Sequence, residues 1–97
     1  MASPEDVIVT HDVQRRRFVA RVGESMSHLV YRPKGRGTVD FLSTYVAPEV
    51  RGRQVGERLV CEALSWARDE GLAVVPTCWF VDTVVRRHPE YEPLLVR

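Results

Sequence analysis

The amino-acid sequence predicts an α+β domain with a mostly antiparallel sheet, one long helix and a second, C-terminal helix. Across the first half of the chain, apolar and polar residues alternate with a period of two, which is typical of strands. From residue 55 onward, apolar residues recur at three- and four-residue spacing, which is typical of a helix. A short apolar run follows that helix, and a helical crossover of this kind joins parallel strands. We therefore expect one parallel pair in the sheet.

The first half of the chain predicts four strands separated by turns. "VGES", between the second and third strands, has the length and the glycine of a hairpin turn. "PKGRG", residues 33–37, predicts a flexible second turn because it contains two glycines. In order, the four strand segments are "DVIVTHD", "RRRFVARVG", "SMSHLVYRP" and "TVDFLSTYV".

The long helix is predicted from the spacing of Val55, Leu59 and Ala63, with charged residues on its other faces. It has about four turns, and Gly71 stands where glycine commonly follows the end of a helix. The next segment, "LAVVP", is wholly apolar, which is typical of a strand buried in the middle of a sheet.

The second helix is predicted to begin with Thr77 as its N-terminal cap, because a threonine hydroxyl can accept from the first free amides. Val81, Val84 and Val85 form its apolar face, and Pro89 ends it because proline cannot continue a helix. The remaining "EYEPLLVR" is predicted to be a short tail.

The composition is typical of one soluble globular domain, which we assign to residues 1–97 with a polar tail at residues 1–6. A net charge of +1 argues against a nucleic-acid-binding module, which normally carries a clustered basic excess. We see no signal peptide and no apolar run of about 18 residues, so we expect a cytoplasmic protein that does not bind membranes. We expect a monomer or a weak dimer.

The two cysteines, Cys61 and Cys78, lack the spacing of a metal site, so we predict no bound metal. Without an export signal, two free thiols are expected rather than a disulfide. Cys61 falls in the middle of the long helix and is interpreted as structural.

The segment "VRGRQVG", residues 50–56, joins the fourth predicted strand to the long helix. The start of a helix has unpaired amides and a partial positive charge, and glycines there let a ligand approach the backbone. Arg51 and Arg53 add charge that suits phosphate. The loop therefore predicts a phosphate-binding site. The alternative is that Gly52 and Gly56 only serve a tight turn and close packing.

The order of these segments resembles the coenzyme A loop of the GNAT acyltransferase superfamily. In that family the loop has arginine or glutamine, two variable residues, glycine, one variable residue, then glycine or alanine. The six positions are filled here by Arg51, Gly52, Arg53, Gln54, Val55 and Gly56, so Gln54 replaces the middle glycine. The stretch from residue 38 to about 95, including "GLAVVPTCWFV" and "RRHPEY", is similar to the small, stand-alone members of this superfamily.

The resemblance implies a GNAT-like fold whose sheet opens in a V between the strand before the loop and "LAVVP". It also implies acetyl-CoA as acyl donor and an amine as acceptor, either a small molecule or a protein. The pantetheine arm is then expected along Tyr45, Val46 and Ala47, and the pyrophosphate on the amides of residues 51–56. Replacing Gln54 by glycine should tighten coenzyme A binding, because it makes room for the pyrophosphate, although it should loosen the start of the helix.

Cys78 is the candidate catalytic residue, because it is predicted in the exposed first turn of the second helix, at the edge of the opening. A helix N-terminus favours the thiolate, and a thiolate beside a thioester can accept the acyl group and pass it to an amine. The alternative is that Cys78 packs as a small apolar residue.

Two positions depart from the family pattern. Relatives commonly have a histidine at the position of Ser43, and many larger members have a tyrosine acid at the position of Arg86. His88 is a candidate acid or base, although helix-end histidines more often bond a last-turn carbonyl. His11 and His28 are expected at surface or edge positions. Trp79 and Phe80 are expected in the aromatic core, with a wall of the acyl pocket as the alternative.

Two functions other than catalysis remain open from the sequence. One is a non-catalytic module that binds coenzyme A or acyl-CoA, and the other is a small interaction domain that binds no cofactor. Turnover of acetyl-CoA distinguishes the enzyme from the non-catalytic binding module. A rise of the melting temperature with coenzyme A distinguishes the enzyme and the binding module from the interaction domain.

Overall fold

A computed structural model describes residues 7–96 of the chain. The predicted polar tail, residues 1–6, lies outside the described residues. The helices and strands follow the predicted order and confirm the α+β class. In sequence they are β1 Ile8–Asp12, β2 Arg17–Val22, β3 Ser25–Pro33, β4 Thr38–Tyr45, a 3₁₀ turn Pro48–Val50, α1 Val55–Asp69, β5 Ala73–Val75, α2 Trp79–Arg87 and a 3₁₀ segment Pro89–Leu94.

The five strands form one sheet in the order β1-β2-β3-β4-β5. The first three pairs are antiparallel and the last is parallel, as the crossover through α1 predicts. The parallel pairing is short, because it joins only residues 38–40 to residues 73–75. Beyond Asp40, β4 continues to Tyr45 while β5 has ended. This divergence is the V-shaped opening that the family resemblance implies.

A bulge in β4 lies at the point where the two strands diverge. Val30 of β3 pairs with Ser43, and its neighbour Tyr31 pairs with Phe41, so Leu42 is an extra residue in β4. A bulge bends its strand and increases the local twist. Leu42 therefore helps to turn the second half of β4 away from β5.

The long helix α1 packs across β2, β3, β4 and β5 and supplies much of the core. Seven of its residues are buried at the spacing that the sequence predicts. Gly71 follows the helix with φ of +71°, a left-handed conformation that glycine adopts without strain. The amide of Leu72 then donates to the carbonyl of Ala67 at 2.8 Å, which closes the helix end.

The second helix begins one residue later than predicted. Cys78 is its N-terminal cap residue and has extended backbone, so the assignment of Thr77 as the cap is wrong. The Thr77 hydroxyl instead donates to the carboxylate of Asp40, which is only 4% exposed. A buried carboxylate needs a hydrogen-bond donor, and this requirement outweighs the preference of threonine for a cap.

The end of α2 is as predicted. Arg87 is its last residue, and Pro89 opens the 3₁₀ segment that follows. The predicted tail is thus partly helical, and Leu95 makes an isolated parallel bridge to Val74 of β5. In the part of the chain that the structure describes, no helix is long and apolar enough to cross a membrane.

His11 lies on the edge strand β1, as expected, but it is integrated into an aromatic cluster. Its ring stacks on Phe18 with a centroid distance of 4.1 Å, and its Nε2 bonds the hydroxyl of Tyr31 at 2.5 Å. Burial lowers the pKa of His11 from its usual 6.5, against the opposing effects of Asp12 and Glu70.

We expect acidification from pH 7.5 to 5.5 to reduce the free energy of unfolding. A lowered pKa in the folded state means that the unfolded chain binds a proton first, so the contribution of His11 is present above pH 6.5 and is lost as the pH falls below it. The pKa of His28 is also lowered, by burial and by Arg17, and acts in the same direction. Urea unfolding at the two pH values measures the decrease in the free energy of unfolding. This decrease should be smaller in His11→Gln than in the wild type. An equal loss in the variant would contradict the assignment to His11.

Candidate functional site

A cavity of about 490 Å³ opens where β4 leaves β5. One wall is the second half of β4, another is the loop before α1, and the third is the start of α2. The lining residues are Thr44, Val46, Val50, Arg51, Gly52, Gln54, Val55, Gly56, Glu57, Cys78, Trp79, Phe80 and Arg87.

The loop before α1 turns through two left-handed residues, Gly52 with φ of +85° and Gln54 with φ of +64°. The amides of Arg51 and Arg53 donate to carbonyls of the preceding 3₁₀ turn, at 3.3 Å each. Gln54 precedes the helix and gives it no side-chain cap. The first amides of α1 therefore border the cavity without a side-chain partner, and such a helix start suits an anion.

The two glycines of this loop have different roles. A Cβ at Gly52 would meet no atom within 4 Å, so only its left-handed backbone requires glycine. A Cβ at Gly56 would lie 2.9 Å from Cγ2 of Val46 and 3.0 Å from Cε2 of Phe80. Gly56 thus lets the start of α1 pack closely between β4 and α2. The packing role that the sequence left open applies to Gly56, at the wall of the same cavity.

Cys78 lies deeper than expected, since it is 9% exposed and is the cap residue of α2 rather than part of an exposed first turn. Its Sγ is 3.5 Å from Oγ1 of Thr44 on β4. Its amide donates to the carbonyl of Phe41 at 2.9 Å, where β4 has no pairing with β5. Cys78 therefore bridges the two walls of the opening and borders the cavity.

Cys61 is half-buried in α1 and does not border the cavity. Burial is the largest cause that raises the pKa of its thiol, and together with nearby carboxylates, first Glu57, it brings that pKa to about 11. At neutral pH this thiol stays protonated, and a protonated thiol is a poor nucleophile.

Six of the nine residues predicted to bind coenzyme A line the cavity, and Tyr45, Ala47 and Arg53 do not. The amide of Ala47 donates to the hydroxyl of Ser27 at 3.0 Å, and its carbonyl accepts from the amide of Val50 at 3.0 Å. The side chain of Tyr45 is exposed and stacks on His28 at 5.3 Å. Val46 is the residue of this stretch that faces the cavity.

Two of the positions that depart from the family pattern, Ser43 and Arg86, lie outside the cavity lining, whereas Gln54 belongs to it. Ser43 on β4 and Arg86 on α2 are both exposed. His88, offered as an acid or base, bonds the carboxylate of Glu57 through Nε2 at 2.6 Å, and its amide donates to Val84 and Val85 carbonyls.

The lining includes three polar residues that the sequence reasoning missed: Thr44, Glu57 and Arg87. Arg87 donates to Glu57 at 2.9 Å, although the two residues are 30 positions apart in the chain. No local pattern connects residues at that separation. Thr44 lies within the strand segment "TVDFLSTYV", and no motif marks it as a site residue.

Trp79 and Phe80 both line the cavity. Trp79 is 75% exposed, so the expectation of a core position is wrong for this residue. It opens α2 on the side of the helix away from the buried valines, and its ring meets Phe80 edge-on at 5.8 Å.

The sequence model of the GCN5-related N-acetyl-transferase family, the GNAT family, matches residues 17–94. The chain belongs to this family. It is 34% identical over 87 residues to protein NATD1 of Danio rerio, covering 86% of this chain and 79% of that protein. It is 34% identical over 83 residues to protein NATD1 of Mus musculus, covering 84% and 76%, and 32% identical over 83 residues to that of Homo sapiens, covering 84% and 74%. The match includes every residue that lines the cavity.

Gln54 occupies the position where the GNAT loop has glycine, and its left-handed backbone explains why glycine suits it. We expect Gln54→Gly to raise the free energy of unfolding by up to about 1 kcal/mol. Glycine avoids the cost of roughly 1–2 kcal/mol that a left-handed conformation imposes on other residues. Part of this gain is cancelled because glycine loses more conformational entropy on folding. The expected gain in stability is opposite in sign to the loosening of the helix start that the sequence alone predicts for this variant. Urea unfolding measures the change.

Arg16 provides the matched control, since it is the other non-glycine residue with positive φ among the described residues, at +55°, and lies outside this cavity. Arg16→Gly should give a gain of similar size. A loss of stability in Gln54→Gly alone would show that the glutamine side chain makes a stabilising contact.

Proposed function

We propose that the chain is an acetyl-CoA-dependent N-acetyltransferase that transfers an acetyl group to an amine. The observation that carries this proposal is the cavity itself, whose lining includes both an uncapped helix start and the thiol of Cys78. Membership of the GNAT family supports the same chemistry. The volume of about 490 Å³ falls within the range of small-molecule pockets.

The residues of the cavity fit coenzyme A. The amides of Gly52, Gln54, Val55 and Gly56 would hold the pyrophosphate, because left-handed turns and an uncapped helix start direct amides outward. The backbone of Val46 would take the pantetheine arm. Its carbonyl accepts from Nε of Arg51 at 3.1 Å, so that arginine side chain would have to shift to free it. When bound, acetyl-CoA supplies the reactive thioester.

Cys78 would accept the acetyl group on Sγ and release it to the acceptor amine. Thr44 supports this role because its hydroxyl lies 3.5 Å from Sγ and can donate to a thiolate. As the acetyl–Sγ bond formed, the donor thioester would break, and coenzyme A would leave as its thiol with the proton of Cys78. Attack by the amine would then break the acetyl–Sγ bond, and the proton that the amine loses would restore the thiol of Cys78.

A second candidate function is a non-catalytic module that binds coenzyme A. It is favoured by the lining of the cavity, which holds no histidine in the described part of the chain. Neutral histidine is the usual base at physiological pH. Both candidates require the same binding site, and turnover of acetyl-CoA in the presence of an amine separates them.

Coenzyme A is expected to raise the melting temperature. A ligand that binds only the folded state stabilises it by about 2.7 kcal/mol at a hundredfold excess over its dissociation constant. Thermal unfolding with and without millimolar coenzyme A tests this, with adenosine as a control that lacks the phosphates and the arm. An unchanged melting curve would rule out both the enzyme and the binding module.

Incubation with acetyl-CoA should place one acetyl group on Cys78 and none on Cys61. The pKa of Cys61, raised to about 11, keeps that thiol protonated at pH 7.5, and the residue is outside the cavity. Mass spectrometry of the intact protein and its peptides locates the label. Cys78→Ala should abolish labelling and leave coenzyme A binding close to normal, because the helix start that would bind phosphate is unchanged.

Cys61→Ala is the matched control and should keep the label with some loss of stability. Persistent acetylation in Cys78→Ala, or acceptor turnover at the wild-type rate, would sink the covalent route. The acceptor amine would then attack the donor thioester directly.

A further inference from the structure

Arg87 ends α2 at the side of the cavity nearest the first turn of α1. It lines the cavity, and its Nη1 donates to Oε1 of Glu57 at 2.9 Å. A guanidinium has five N–H donors, so most of them are free of this contact. The side chain of Arg87 is 61% exposed, while that of Glu57 is only 19% exposed. A largely exposed guanidinium therefore contacts a largely buried carboxylate.

Glu57 places a negative charge in the first turn of α1, beside the amides that suit an anion. A hydrogen bond from His88 is the first cause that lowers the pKa of Glu57, and Arg87 adds to it, so this carboxylate is ionised at neutral pH. Alone, it would repel a phosphate at the helix start. Arg87 and His88 face it at 2.9 and 2.6 Å, and Glu90 in turn lies 3.9 Å from Nδ1 of His88.

We propose that Arg87 binds a phosphate group of the acyl donor, beside the amides at the start of α1. This rests on the proposed function and adds a binding residue to it. The Glu57 ion pair holds the guanidinium at the cavity, and its remaining N–H groups meet the phosphate in charge-assisted hydrogen bonds. The other arginine that lines the cavity among the described residues, Arg51, is already engaged through Nε with the carbonyl of Val46. Arg87 is thus positioned to offset the charge of Glu57 as the donor enters.

Calorimetric titration of coenzyme A into the wild type, Arg87→Gln and Arg86→Gln tests the proposal. Arg86 is the neighbouring exposed arginine that does not line the cavity, so it controls for net charge. Arg87→Gln should weaken binding roughly tenfold or more, as expected for hydrogen bonds to a charged group, whereas Arg86→Gln should change it less than about twofold. Arg87 is largely exposed, so the variant is expected to fold, and circular dichroism checks this.

Dephospho-coenzyme A, which lacks the 3′-phosphate, identifies the phosphate that is bound. If Arg87→Gln weakens binding of both ligands, the contact is to the pyrophosphate. If it weakens only coenzyme A, the contact is to the 3′-phosphate, and either result supports the proposal. Equal affinities of Arg87→Gln and Arg86→Gln for coenzyme A would overturn it and leave the proposed function standing. Failure of the wild type to bind coenzyme A would overturn both.

Discussion

The short parallel pairing between β4 and β5 is the constraint on which the rest of this structure depends. It joins three residue pairs and stops at Asp40 and Val75, while β4 runs on to Tyr45. A strand edge that is left inside a protein must find other hydrogen-bond partners. The residues at the start of α2 provide two of these partners. The amide of Cys78 donates to the carbonyl of Phe41, and the hydroxyl of Thr77 donates to the carboxylate of Asp40. The first contact satisfies a backbone carbonyl of the strand edge, the second satisfies a buried side chain, and together they hold the thiol of Cys78 at the cavity lining.

The bulge at Leu42 and the packing at Gly56 maintain this opening from its two sides. The bulge turns β4 away from β5, and Gly56 lets α1 begin within contact distance of Val46 and Phe80. Neither feature involves a charged or reactive side chain. The shape of the site is set by backbone geometry and close packing, and its chemistry is then added by a few polar residues.

The local parts of this fold could be predicted from the sequence. The strands and α1 follow from periodicity, and the loop before α1 follows from its glycines and arginines, because the residues that carry each signal are neighbours in the chain. Thr77 was misassigned because its partner Asp40 lies 37 positions away, and burial of that carboxylate decides what the threonine does. Trp79 was misassigned because tryptophan is usually buried, whereas here the apolar face of α2 is occupied by valines.

In the candidate site, too, features carried by neighbouring residues could be predicted, and features that depend on distant contacts could not. The loop before α1 is contiguous, so its place beside a cavity could be predicted, and the same holds for Cys78 from its position beside a predicted helix start. The depth of Cys78 could not be predicted, because its contact with Thr44 depends on how far α2 enters the opening. Glu57 and Arg87 come together only when α1 and α2 pack side by side. Charge pairs between helices carry no signature in a single sequence, and only the fold reveals them.

Helix α2 brings a cavity-lining residue from each of its own ends. Cys78 caps the helix and Arg87 ends it, and nine residues at 1.5 Å each separate these ends by about 13 Å. Both residues line the same cavity, while Val81, Val84 and Val85 stay buried on another side of the helix. Each residue of a helix adds about 100° of rotation, so an insertion or deletion between the valines and Arg87 would turn the arginine away from its present place by about that angle. The spacing of the apolar face and the arginine along α2 therefore follows from the geometry of the helix.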